Sequence, residues 1–251
     1  MQVQFNKTAI RCLGTALQEV RNAEVTQELR LSDGMPDIGR VLTTWGQVLI
    51  RSKEWRGSDI TLTGGVKAWT LYAPEDGTEP RSVESWIPFQ ITWKSAEVER
   101  EGPVRVIPLL RFADSRSISS RKMIVRAGVA ALAQALYPRE TVICAPEELP
   151  DDVQILRKAY PMRIPVESGE KTFLVDEELT LPESGASIDK LHAVMVCPEI
   201  AEKRILSDKV VFKGNLAMHM VCRTKEGRVT RVELAQPFSQ LSELDRSYDG
   251  D

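Results

Sequence analysis

Asp59-Ile60-Thr61-Leu62-Thr63-Gly64-Gly65-Val66-Lys67-Ala68-Trp69-Thr70-Leu71-Tyr72 is the stretch that decides the fold. Its first five residues alternate polar and apolar, the period of a strand with one face in a core. The Gly64-Gly65 pair predicts a bulge or bend, and Val66 to Tyr72 resumes the strand. Ala73-Pro74-Glu75-Asp76-Gly77 has the chemistry of a turn. A hairpin follows, with its second strand ending near Pro88-Phe89.

Sliding the chain against itself by 150 residues shows that this hairpin occurs twice. Val25 falls on Val175, Glu28-Leu29 on Glu178-Leu179, Ile38 on Ile188, Ile50 on Ile200 and Lys53 on Lys203. Ile60 and Leu62 meet Val210 and Phe212, Gly64 meets Gly214, and Gly77 meets Gly227. The register holds without a gap from Val3 to Gly77, and a one-residue deletion then brings Pro88-Phe89 onto Pro237-Phe238. Paired glycines suggest turns or positions of positive φ. Paired aliphatics suggest shared core positions.

The expected fold is mainly β, with two tandem β-sandwich or barrel-like units related by internal duplication and little helix. The first unit spans 1–92 and the second 152–245. Residues 93–151 form a connecting β-rich extension, and 246–251 a disordered tail. Within the extension, Glu97-Val98-Glu99-Arg100-Glu101-Gly102 reads as a solvated loop. Segments 104–112 and 122–126 alternate like strands. Ala127-Gly128-Val129-Ala130-Ala131-Leu132-Ala133-Gln134-Ala135-Leu136 fits a helix by alanine content and a strand by its neighbours. Pro146-Glu147-Glu148-Leu149-Pro150 reads as a loop or a single helical turn.

Composition narrows the function. Hydrophobic residues at 42% and charged residues at 27% allow each half a core. The net charge is −3, with both signs interspersed, which argues against nucleic-acid binding. The N-terminal sequence lacks the apolar run of a secretion signal, and no stretch reaches the ~20 apolar residues of a membrane span. Cys12, Cys144, Cys197 and Cys222 show neither zinc-site nor disulfide-framework spacing. They are expected to be buried or half-buried free thiols in a reducing cytosol.

No motif of catalysis stands out: there is no G-x-S-x-G, no H-E-x-x-H and no Gly-rich phosphate loop. No catalytic, cofactor or metal residue is assigned, and the chain reads as a non-enzyme. His192 and His219 correspond to Leu42 and Trp69 across the repeat, so both are expected near packing faces. Glu75-Asp76, Asp151-Asp152 and Asp176-Glu177-Glu178 could serve a hydrolase only if two carboxyl groups faced each other about 5–10 Å apart. Otherwise they solubilise turns and strand edges. Trp45, Trp55, Trp69, Trp86 and Trp93 all fall in or just after the first unit. They form either a larger aromatic core or an exposed patch for a partner or a glycan. The partner-binding candidates are Trp86, Phe89, Trp93 and Phe238, with packing at a strand end as the alternative role.

Several segments together resemble the SPOCS domain family of endospore-forming bacteria. They are Glu177-Glu178-Leu179-Thr180-Leu181-Pro182, Ile188-Asp189-Lys190-Leu191, Lys209-Val210-Val211-Phe212-Lys213-Gly214-Asn215-Leu216 and Pro237-Phe238. Pro36-Asp37-Ile38-Gly39-Arg40-Val41-Leu42 is similar to a second form of the motif, and Ser120-Arg121-Lys122-Met123-Ile124-Val125-Arg126-Ala127 to another family segment. The resemblance implies a non-enzymatic scaffold in spore coat and envelope morphogenesis. The implied partners are the ATPase that polymerises into the coat basement layer or other spore-envelope proteins. The implied place is the mother-cell cytosol at the forespore surface. Well-studied members end in a LysM module that binds peptidoglycan-like sugars. No such pattern follows Phe238, so the family's link to glycan is not carried over. The alternative function is a carbohydrate-binding module built on the tryptophans of the first unit.

Overall fold

The structure, a computed structural model, describes residues 5–96, 102–146, 156, 158–180 and 187–248. Among these the secondary structure is all β, with antiparallel pairing throughout. In chain order the strands are β1 (Phe5–Arg30), β2 (Ile38–Arg56), β3 (Asp59–Pro74) and β4 (Arg81–Lys94). β5 (Val104–Ser119), β6 (Lys122–Pro146), β7 (Ile188–Thr224) and β8 (Val229–Tyr248) follow. They form three sheets, ordered β1-β6-β5, β2-β3-β4 and β7-β8. The charge run 97–101 and the acidic pair 151–152 lie outside the described residues.

The first two sheets enclose one core. Inward residues of β3 (Ile60, Leu62, Val66, Ala68, Tyr72) and β4 (Ile87, Phe89, Ile91, Trp93) are mostly large. Those of β6 are mostly small: Met123, Val125, Ala127, Val129, Ala131, Ala133 and Ala135. Large against small lets the two layers interdigitate at interior density. This pattern also settles the alanine-rich stretch. Alternate alanines face the core, and β6 pairs with β1 on one edge and β5 on the other. Tertiary packing overrides helix propensity there.

The sheet edges also meet. Thr44 of β2 donates to Ser115 of β5 at 2.9 Å, and Arg21 of β1 donates to the Thr92 carbonyl of β4 at 2.5 Å. The result is a barrel-like body of six strands. Its first sheet joins residues 5–30 to 122–146, so the expected boundary at 92 cuts through a hydrogen-bonded ladder. The expected tail is also corrected, since Arg246 to Tyr248 complete β8.

Gly64-Gly65 makes no bulge in β3 against β4, where the register runs unbroken. The irregularity lies opposite, in β2 between Ile50 and Ser52. Gly64 serves close approach instead: a Cβ there would lie 2.5 Å from the Leu49 carbonyl oxygen. The ring of Trp86 occupies the space a Cβ on Gly65 would take.

Positions 150 apart share geometry. Gly57 and Ser207 have φ of 56° and 55°, and Gly77 and Gly227 have φ of 72° and 80°. Gly214 faces the Glu199 carbonyl as Gly64 faces that of Leu49. Ser52 and Thr63 share a hydrogen bond at 2.7 Å, while their counterparts Glu202 and Lys213 form an ion pair at 3.7 Å. β7 therefore folds back at Ser207 into two arms placed like β2 and β3, and β8 pairs as β4 does. Gly64 is registered with Phe89, and Gly214 with Phe238. The second meander has a smaller buried cluster of Met220, Cys222 and Val232, flanked by Ile188, Val194 and Leu234.

Candidate interaction surface

The four candidate residues divide between core and surface. Phe89 and Trp93 point into the barrel core and are buried, so no partner reaches them on the folded protein. Trp86 is half-buried on the outer face of the sheet, over Gly65, with the Arg51 guanidinium 4.6 Å from its ring. Phe238 is half-buried and meets Phe173 at a ring separation of 5.8 Å. The tryptophan bias is thus largely a packing property. Trp55 and Trp69 are buried as well, and Trp45 is half-buried. A flat set of exposed tryptophans, which the glycan alternative needs, is not present.

Residues of two family-like segments, 36–42 and 120–127, hold the fold together. Arg121 sits at the β5–β6 turn and donates to the carbonyls of Met35 and Ser32 at 2.5 and 2.7 Å, and to Asp37 at 2.9 Å. That guanidinium holds the Asp37 carboxyl below the usual carboxylate range. Tyr72 donates to the Pro36 carbonyl at 3.0 Å. One arginine therefore ties the β1–β2 loop to the opposite sheet, which a planar fork of donors suits better than an ammonium does.

The meander of β7 and β8 joins the barrel through polar contacts. Arg223, largely buried, bridges Asp189 of its own meander and Glu79 of the β3–β4 loop. His192 is buried, with Nδ1 2.9 Å from the Ser82 hydroxyl. Burial lowers its pKa, and the nearby cations Lys190, Arg223 and Arg81 lower it further. Half-buried His219 lies 3.4 Å from Glu233. His192 thus takes a packing position, whereas His219 lies on the outward face beside Arg231 and Glu233.

The described acidic clusters named from the sequence, Glu75-Asp76 and Asp176-Glu177-Glu178, are exposed on separate segments. Asp76 accepts from the backbone and hydroxyl of Thr78, which lowers its pKa and caps the turn at Gly77. Asp176, Glu177 and Glu178 are exposed. Among the described residues no group of three His, Cys, Asp or Glu side chains is arranged to hold a metal ion. All four cysteines are free. Cys12 and Cys222 are buried, but Cys144 and Cys197 are exposed, contrary to the expectation that all four are buried or half-buried. No described helix is long and apolar enough to cross a membrane.

What sequence reading missed is the segment 158–180, which joins no strand ladder. Its middle lies against the second meander. Lys171 donates to the Leu241 carbonyl at 2.9 Å, and the Asp245 amide donates to Glu167 at 2.7 Å. At Pro165 its carbonyl accepts from the Leu13 amide of β1 at 2.7 Å. Beside it opens a cleft of about 720 Å³ that reaches Val210, Phe212 and Leu244 of the second meander. Ile60 and Leu62, the first-unit counterparts of Val210 and Phe212, are completely buried. Tyr160, Met162, Phe173, Leu174 and Leu179 are exposed along the segment, Leu174 at 88%. The repeat held the signal, because this segment is the offset counterpart of β1.

No family model, curated protein or solved structure matches this chain.

Proposed function

We propose that the chain is a non-catalytic scaffold that holds partner polypeptides through β surfaces, working in assembly of the endospore envelope. The observation that carries the β-surface reading is the segment 158–180. It leaves apolar side chains and main-chain groups open beside an uncovered meander. Backbone groups without a ladder partner and contiguous exposed apolar residues are what strand-adding partners use. Support for the envelope setting comes from the resemblance of the 36–42, 120–127, 177–182 and 209–216 motifs to the SPOCS family.

On this reading the partner is the coat basement-layer ATPase or another envelope protein, met at the forespore surface in the mother-cell cytosol. Residues of the 36–42 and 120–127 motifs build the body, and 177–180 lie on the edge itself. Purified chain should bind the purified, polymerised ATPase in co-sedimentation, and a deletion strain should detach its coat. Normal coat attachment in the deletion strain, with no co-sedimentation, overturns the assignment.

A further inference from the structure

In the barrel, β1 is paired by β6 from Arg21↔Ala131 to Arg30↔Lys122. The inward side chains Ala23, Val25 and Leu29 pack on the core opposite Met123, Val125, Ala127 and Val129. On the outward face Thr26 is registered with Arg126, and Glu28 pairs with Lys122 at 2.8 Å.

The counterpart of 21–30 is 171–180, and it sits in the same place on its own meander. Arg21 donates to the Thr92 carbonyl, and Lys171 to that of Leu241, the matching position once the one-residue deletion is counted. Ala23 and Phe89 belong to one core, and Phe173 meets Phe238. Yet among the described residues no strand is laddered to 171–180. Phe173, Val175 and Leu179 stand where the inward residues of β1 stand, while Asp176 and Glu178 stand where Thr26 and Glu28 stand. Neither acid has an ion-pair partner among the described residues, whereas Glu28 has Lys122.

We propose that the free edge of 171–180 binds a basic β-strand of another protein, laid antiparallel in the place β6 takes on β1. This deepens the scaffold reading and rests on it. The occupant's chemistry follows from the register. Apolar residues, mostly small or β-branched, alternate on its inward face, as Met123, Val125, Ala127 and Val129 do. Lysine or arginine stands on its outward face opposite Asp176 and diagonally across from Glu178, as Arg126 stands opposite Thr26 and Lys122 reaches Glu28 from the place opposite Arg30. Main-chain hydrogen bonds supply affinity, while the charge pairs and the alternating small residues fix register and partner. A second copy of this chain is a poor donor, because its own matching strand is held on both edges by β1 and β5.

A labelled peptide of residues 120–132, whose site in the barrel is already filled by β6, is the probe. Fluorescence anisotropy with the full chain should show saturable one-to-one binding, and amide exchange should slow at 171–180 but not at 21–30. The double variant Asp176→Lys/Glu178→Lys, at exposed positions, should weaken binding about tenfold at low salt. A peptide with Lys122→Glu and Arg126→Glu should recover it on that variant. Absence of binding to a chain shown to be folded, slowing at 21–30 instead, or indifference to the charge swap overturns the proposal. So does a concentration-dependent dimer that the double variant abolishes, since the occupant is then a second copy. A failed peptide with a coat defect in the deletion strain discards this edge and leaves the scaffold reading standing.

Discussion

Gly64→Ala tests whether the glycine is there for close approach. A Cβ at this position would sit 2.5 Å from the Leu49 carbonyl oxygen and 2.9 Å from the Phe89 ring, where ordinary contact begins at 3.4 Å. The shortfall to the carbonyl is about 0.9 Å. It falls on backbone that cannot rotate away, unlike the tip of a side chain. β2 must therefore move off β3 next to the bulge between Ile50 and Ser52, loosening the ladder there. Overpacking of this kind costs about 1–3 kcal/mol, and a backbone obstacle places it near about 3. At about 2–4 °C per kcal/mol for a chain of this size, the midpoint should fall by ~6–12 °C in calorimetry. Gly214→Ala faces the Glu199 carbonyl and should loosen the second meander in amide exchange. Gly34→Ala, with open space around it, should change little. A loss below about 0.5 kcal/mol at Gly64, indistinguishable from an ordinary surface substitution, would refute the close-approach reasoning.

Trp93→Ala empties the centre of the barrel and should cost about 3–5 kcal/mol in urea unfolding, whereas Trp86→Ala, half-buried outside, should cost much less. Arg121→Ala strands the Met35 and Ser32 carbonyls and should lower stability by about 2 kcal/mol, with Arg121→Lys recovering only part of the loss. His192 is buried against Ser82 with Lys190, Arg223 and Arg81 nearby, so its folded pKa lies below the ordinary 6.5. The unfolded chain then takes the proton first. Stability is unaffected by this group above 6.5 and is lost as pH falls below it towards the folded value. Melting curves between about pH 7.5 and 5.5 should show that loss, reduced in His192→Asn.

Local chemistry was legible in the sequence, and long-range pairing was not. The alternation at 59–63, the turn at Gly77 and its counterpart at Gly227 all have their expected conformations. Ser207 takes the left-handed conformation of Gly57 without glycine, so the fold-back inside β7 carries no turn signature. The alanines of β6 suit a helix until large residues from β3 and β4 are set against them. Nothing local tells β1 that its partner lies a hundred residues ahead. The candidate aromatics were judged by their place beside Pro88-Phe89. Strand parity settles the matter instead, since Phe89 and Trp93 share the inward face and Trp86 takes the outer one.

Native-state amide exchange compares the paired strand with its unpaired twin in one experiment. With one ladder complete and the other missing its neighbour, backbone amides of 171–180 should exchange about a hundredfold or more faster than those of 21–30. Equal protection in the isolated chain would mean that the second edge is already filled, and the open surface would not exist.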